Sequence, residues 1–494
     1  MIGKTTKYIL ILLMTMIAAN ASAQNSQVLY NMNLPQNHLL NPALRPSNSF
    51  YIGLPGLSGI NLNINNNFVN FQDVFLKGQP KDSIITFLHP GYNVDDFLAK
   101  IKDKNSFEPE ASVQLFGLGF SVGKASYVFL DINERIDGNV VLPGDIFKLA
   151  LKGNEEFVGS KIDLSSLRGD MKYYHEIGLG FSKDFTNKLR IGIKGKLLIG
   201  IAGATIDNRS LGITVNNDYS HILDADLDVN ISGPVILSRD AENNIESIQI
   251  DKTRINTTHK KIDYLISPEN PGLGLDIGAT YDISDKFMVS AAITDVGFIK
   301  WKRDVINLQA KNRFEFSGLN MVDVINGTKT IDELGQEMLD SLKNSFKVSD
   351  SKVPFTTFLP FGVTLGGSYN VTKSFSLGLL SYSRVIGQQI RESLTASANV
   401  NLGNAFSTSI SYTVANHRFD NIGFGLAFRP GIFQFYMISD RIPVMWNKIK
   451  TDNSTLPLPT SWNTVNLRFG MNLAFGNRIK KKADAPMMKS EQIF

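Results

Sequence analysis

Residues 465–475 read VNLRFGMNLAF, and this stretch decides the fold. Val465, Leu467, Phe469, Met471, Leu473 and Phe475 are apolar, while Asn466, Arg468, Gly470, Asn472 and Ala474 between them are polar or small. Side chains alternate sides along a strand, so the pattern describes a strand with one greasy face and one face that accepts Arg and Asn. It is longer than the usual strand of about 5–6 residues. It fits a tilted strand crossing a bilayer, which takes about 9–11.

The same period-2 pattern recurs along the chain near 59–69, 111–122, 125–134, 170–183, 188–204, 271–282, 286–300, 358–370, 373–385, 391–403, 405–415, 420–429, 431–440 and 462–476. Tight turns follow the even-numbered strands, as at GKAS (123–126), DISDK (282–286) and RPG (429–431). Connections after odd strands are mostly long, at 70–110, 135–169, 205–270, 301–357 and 441–461. Short turns at one end and long loops at the other are the arrangement of transmembrane barrels. The expected fold is therefore all-β: a closed antiparallel outer-membrane barrel of about fourteen strands. A secreted β-sandwich also alternates, but its strands are shorter and its loops less sided.

The N-terminus agrees. Lys4 and Lys7 precede the apolar run YILILLMTMIAA (8–19), and Ala21-Ser22-Ala23 follows, the order of a cleaved signal peptide ending near Ala23. Losing Lys4 and Lys7 leaves 48 basic against 46 acidic side chains, about +2, too balanced to argue for nucleic acid. Cysteine is absent, which excludes disulfides, thiolate metal sites and a Cys nucleophile.

Between the leader and the first predicted strand, residues 24–58 carry Pro35, Pro42, Pro46 and Pro55, too irregular to span a membrane. The expected organisation is a signal peptide over 1–23, a luminal plug over 24–58, a barrel over 59–476 and a basic periplasmic tail over 477–494. Helical intervals predict helices in the long loops at 94–102, 144–152 and 330–346, where Thr330 and Glu333 form a capping box. The alternating stretch 220–233 reads as a strand extension inside a long loop.

No catalytic set is legible. His38, His89, His175, His221, His259 and His417 are scattered, and neither a G-x-S-x-G nor a Walker sequence occurs. Asp224, Asp226 and Asp228 share a strand face that reads as solvated, with a calcium site as the sharper alternative. An enzyme is not expected, and neither a cofactor nor a metal.

The segment LPQNHLLNPALRPSNSFYIGLPGLSGINLNINN (34–66), with LDIGATYDISDKFMVSAAITDVGFIKW (275–301), resembles a family of uncharacterised outer-membrane barrels from Bacteroidota. That family is similar to FadL-type transporters and to barrels associated with type IX secretion and gliding. The resemblance implies an N-terminal hatch inside the barrel, with Asn41, Pro42 and Ala43 in a turn, and a wall opening that passes hydrophobic substrate sideways. Strand parity sets Glu176, Arg190, Lys194, Lys196, Asp276 and Arg468 on the luminal face, where they are candidates to hold the plug. Expected partners are outer-membrane lipid, a small hydrophobic compound, or a periplasmic or surface protein. Two functions follow: a FadL-like channel for small hydrophobic compounds, or an accessory barrel whose loops bind a protein. On parity alone, Lys194→Leu and Arg468→Leu are expected to leave assembly nearly intact.

Overall fold

The chain is described from a computed structural model over residues 27–77, 84–241, 245–316, 330, 348–387, 389–415, 418–443, 446–451, 454–459 and 463–476. Its backbone polar groups are satisfied chiefly by one large antiparallel sheet that closes on itself. The wall begins with β1 (Phe50–Gly53) and β2 (Ile60–Asn66), two halves of one stave. It continues through β3 (Lys104–Val122), β4 (Ser126–Pro143), β5 (Arg168–Asp184) and β6 (Leu189–Val215). β7 (His221–Ser232) stands beyond the wall, and β8 (Pro271–Asp282) and β9 (Phe287–Trp301) resume it.

After β10 (Val305–Phe316) comes a stave in two pieces, β11 (Phe355–Phe358) and β12 (Phe361–Asn370). The last six are β13 (Phe375–Ile386), β14 (Gln389–Leu402), β15 (Phe406–Ala415), β16 (Arg418–Phe428), β17 (Phe433–Ser439) and β18 (Thr464–Phe475). β18 pairs back onto both β1, at Phe50↔Phe475, and β2, at Ile60↔Phe469. The result is a closed barrel of 14 staves with no open edge in the wall.

The expected plug boundary at residue 58 moves. Phe50–Gly53 pair with β18 on one side and with β3 on the other, so the wall starts inside the stretch assigned to the plug. Pro55, which has no N–H, and Gly56, at φ +70°, turn the chain out of the strand before Ile60 re-enters it. That break hid the first half of the stave from a period-2 reading.

Parity holds almost everywhere. On β6, Ile191, Ile193 and Leu197 are exposed and Lys194 and Lys196 buried; Leu179 and Phe181 on β5 and Leu273 and Ile277 on β8 also face outward. These side chains make an apolar outer band of the kind that meets hydrocarbon. The 27 residues of β6 outrun that band. Its lower half, Leu189–Ile199, pairs with β8, and its upper half, Gly203–Val215, pairs with β7, which in turn pairs with β10. The 220–233 stretch is thus a strand outside the membrane wall.

Among the loops, α1 (Val94–Leu98) and α2 (Gly144–Lys152) fall within predicted helices, and α3 (Thr258–Ile266) was not foreseen. The leader at 1–23, the tail at 477–494 and, after Thr330, the 330–346 helix lie outside the described residues. No described helix is long and apolar enough to cross a membrane.

Candidate functional site

Residues 27–48 lie within the barrel, against its inward faces. Short 3-10 turns at Gln27–Asn31 and Pro35–Leu39 place Val28, Leu29, Met32 and Leu34 in an apolar cluster with Leu380, Tyr436 and Ile438. The Asn-Pro-Ala sequence forms a turn in which Leu44 N–H donates to Asn41 O at 2.9 Å and Ala43 N–H to Asn41 Oδ1 at 2.8 Å. Asn41 Nδ2 donates to the carbonyls of Ala279 and Ala291, both at 3.2 Å. Two wall glycines make room for it. A Cβ at Gly192 would overlap the Pro42 backbone, and one at Gly278 would overlap Asn41 Oδ1. Arg45 closes the segment at the short-turn end, donating to Ser182 Oγ at 2.7 Å and Ala125 O at 2.9 Å.

From this segment a chain of polar and charged side chains runs along the inner faces of β4, β5, β6, β8 and β9. His38 Nε2 lies 2.7 Å from Asp131 Oδ2. Lys194 Nζ reaches Asp131 at 3.3 Å and Glu176 Oε1 at 2.9 Å. Arg135 joins Glu176, at 2.8 Å, to Asp295, at 2.9 Å. Lys196 joins Asp295, at 2.5 Å, to Asp276, at 2.8 Å. The luminal candidates Glu176, Lys194, Lys196 and Asp276 are therefore one cluster. Arg190 stands apart near the short turns, donating to Asp184 at 2.6 Å. Arg468 shares the lining of a small internal cavity with Glu176, Lys196 and Asp276.

Four of these partners were missed. Asp131 and Arg135 were legible, because both share a parity opposite Val128, Leu130 and Ile132 on β4. His38 was not legible, since no periodicity governs the plug. Asp295 was hidden by a bulge.

That bulge marks a local break in the ladder of an otherwise closed wall. β8 and β9 shift register between Leu275 and Ile277. Asp295 takes φ +63°, a left-handed conformation that Asp tolerates better than most residues, and its N–H donates to Asp276 Oδ1 at 2.7 Å. On the other side β9 pairs with β12 up to Thr294↔Gly362 and with β11 only from Phe298↔Phe358. Between them sits Pro360, which cannot donate to a ladder.

Inside the break, Thr294 and Asp295 line a cavity of about 60 Å³, room for a few waters and nothing larger. Outside it, Val296 and Gly297 line an apolar groove of about 580 Å³ with Leu273, Phe298, Phe358 and Leu359. Two of the three outer aspartates already have a cation partner. Arg209 is paired with both Asp226 and Asp228, and no metal-holding group of His, Asp and Glu occurs among the described residues.

Fold and site together define a transmembrane β-barrel with its own N-terminal segment in the lumen. The chain belongs to a family of unknown function, DUF5723, whose profile matches residues 42–440. No curated protein matches the sequence. Similar solved structures include a Pseudomonas aeruginosa FadL homologue (9% identity, 94% of this chain and 98% of that one, TM-score 0.39). The Ralstonia pickettii toluene transporter TbuX (8%, 93% and 96%, TM-score 0.38) and the P. putida toluene transporter TodX (8%, 94% and 97%, TM-score 0.33) are also similar. At these scores the likeness assigns no residue a role.

Proposed function

We propose that this barrel is an outer-membrane channel for small hydrophobic compounds, with cargo crossing the wall at the break between β8, β9 and the β11/β12 stave. The supporting observation is that consecutive residues of one strand face two compartments: Thr294 and Asp295 the luminal cavity, Val296 and Gly297 the apolar groove. Between Thr294↔Gly362 and Phe298↔Phe358 the ladder from β9 to the β11/β12 stave is interrupted, with Leu359 N–H donating to Gly297 O at 2.9 Å across the gap. The cavity is far below the roughly 300–1,000 Å³ of a ligand site, so on this reading the channel is closed. Opening requires the Lys196 and Arg135 contacts to Asp295 to part.

The test uses the absence of native cysteine. Phe298 and Phe358 are a cross-strand pair with both rings exposed on the outer face, so Phe298→Cys with Phe358→Cys can staple the two sides of the break. In proteoliposomes the reduced variant is expected to take up a fatty acid or a monoaromatic hydrocarbon faster than empty vesicles, and oxidation to slow uptake at least several-fold. Equal uptake in both redox states would exclude this route. No uptake in either would exclude the channel. It would also favour an accessory barrel, whose protein contact would be the β6–β7–β10 sheet standing above the wall.

A further inference from the structure

The loop between β6 and β8 does not simply rise into solvent. It returns to the outside of the barrel and lays α3 against the wall. His175 on β5 and Glu134 on β4 are cross-strand neighbours of outward parity, in line with Leu179 and Phe181 on β5 and with Ile132 and Ile136 on β4. His175 Nδ1 lies 2.8 Å from Glu134 Oε1, and its Nε2 lies 2.7 Å from the carbonyl of Leu265 in the last turn of α3. The helix end is thus tied to the lipid-facing side of the wall.

Its height follows from strand geometry. From Asp184, at the short-turn end, up to His175 is about 30 Å of strand at about 3.3 Å per residue. A tilt of about 40° reduces this to roughly 23 Å, close to the roughly 25 Å of a barrel's apolar band. His175 therefore lies near the band's upper edge, with Met171 and Ile136 exposed just above it.

The helix is also held in rotation. Tyr264, 9% exposed, donates through its hydroxyl to Asp304 Oδ2 at 3.2 Å. The Arg303 guanidinium stacks 3.8 Å from the Tyr264 ring centre and donates to the Tyr264 carbonyl at 3.0 Å. At about 100° per residue, positions two before and two after Tyr264 point to the opposite side. Those positions are Ile262 and Ile266, exposed by 50% and 62%. On the same wheel the exposed His259–Asp263 pair borders Ile266, and exposed Lys260 and Lys261 flank Tyr264, about 100° or more from the isoleucines. Thr257 caps the helix by accepting from Lys260 N–H at 3.3 Å, so this short element has a defined start.

We infer that α3 is an interfacial helix: Ile262 and Ile266 enter the acyl region of the outer leaflet, and Lys261 sits at the level of anionic headgroups. The occupant is membrane lipid because this apolar face continues the lipid-facing band at its rim rather than forming a separate patch, and because lysines on the face away from an apolar pair are the arrangement of membrane-surface helices. The helix then braces β4 and β5 to the membrane surface, whatever the barrel transports.

Because the chain has no cysteine, single nitroxide labels report this directly. Variants Ile262→Cys, Ile266→Cys, Lys260→Cys and Lys261→Cys are labelled and folded into vesicles of phosphatidylethanolamine with phosphatidylglycerol. Heat-modifiable gel mobility identifies those with a folded barrel. The ratio of oxygen to nickel-chelate collision rates is expected to be several-fold higher at 262 and 266 than at 260 and 261. In detergent micelles lacking anionic lipid, the contrast between 261 and 262 should shrink. If 262 and 266 meet the nickel chelate as freely as 260, the helix stands in water and the inference is wrong. This outcome is independent of uptake.

Discussion

Lys194 has its ammonium wholly buried between Glu176 and Asp131, so its removal leaves two carboxylates facing each other without their shared cation. Parity alone makes Lys194→Leu a mild luminal change. Burial reverses that expectation, because breaking a buried pair costs about 3–5 kcal/mol through the charge left behind. Lys194→Leu should therefore lower stability in urea titrations of the lipid-folded barrel, and the double variant Lys194→Leu with Glu176→Leu should recover part of the loss. If Lys194→Leu unfolds at the wild-type urea concentration, the buried network contributes nothing. The residue type was legible, since β6 sets Lys194 and Lys196 opposite a row of isoleucines. Which acids they meet was not, because Asp131, Asp276 and Asp295 come from other strands through register and, for Asp295, through a bulge.

The luminal segment has only two short 3-10 turns and is held by many separate contacts rather than by one ladder. Its apolar anchors Val28, Leu29, Met32 and Leu34 and its polar ties at Gln36, His38, Asn41 and Arg45 reach several staves. An element held this way can leave while the wall's ladder stays paired. Deletion of residues 27–47 should give a folded barrel with raised single-channel conductance in planar bilayers. A deletion reaching into 50–53 should instead damage assembly, because those residues are part of the wall. Unchanged conductance after the shorter deletion would show that the segment does not control the lumen. Sequence placed the Asn41-Pro42-Ala43 turn by resemblance. Its seat, the two glycines at 192 and 278, was invisible because each is an ordinary small position in its own strand.

For the whole molecule the governing quantity is the apolar outer surface. Ile193 and Leu467 face outward, and an arginine near the bilayer midplane costs roughly 2–4 kcal/mol. Ile193→Arg and Leu467→Arg should each reduce the fraction of heat-modifiable, folded protein obtained in lipid, with less effect in detergent. Loss of folding equal in both media would mean these positions pack against protein. The closed antiparallel barrel, its approximate number of staves, its two unlike ends and the sidedness of the regular strand segments were determined by the sequence alone. These depend on local parity and turn chemistry, which each segment carries within itself. Tertiary structure decided the pairing of β1 with β18, the cluster that joins His38 to Asp295, and the bulge that sets the cavity beside the groove. It also decided the return of α3 to the wall. Each of these depends on which distant segments closure brings side by side, and a single deviation in strand register cancels the parity that a local reading relies on.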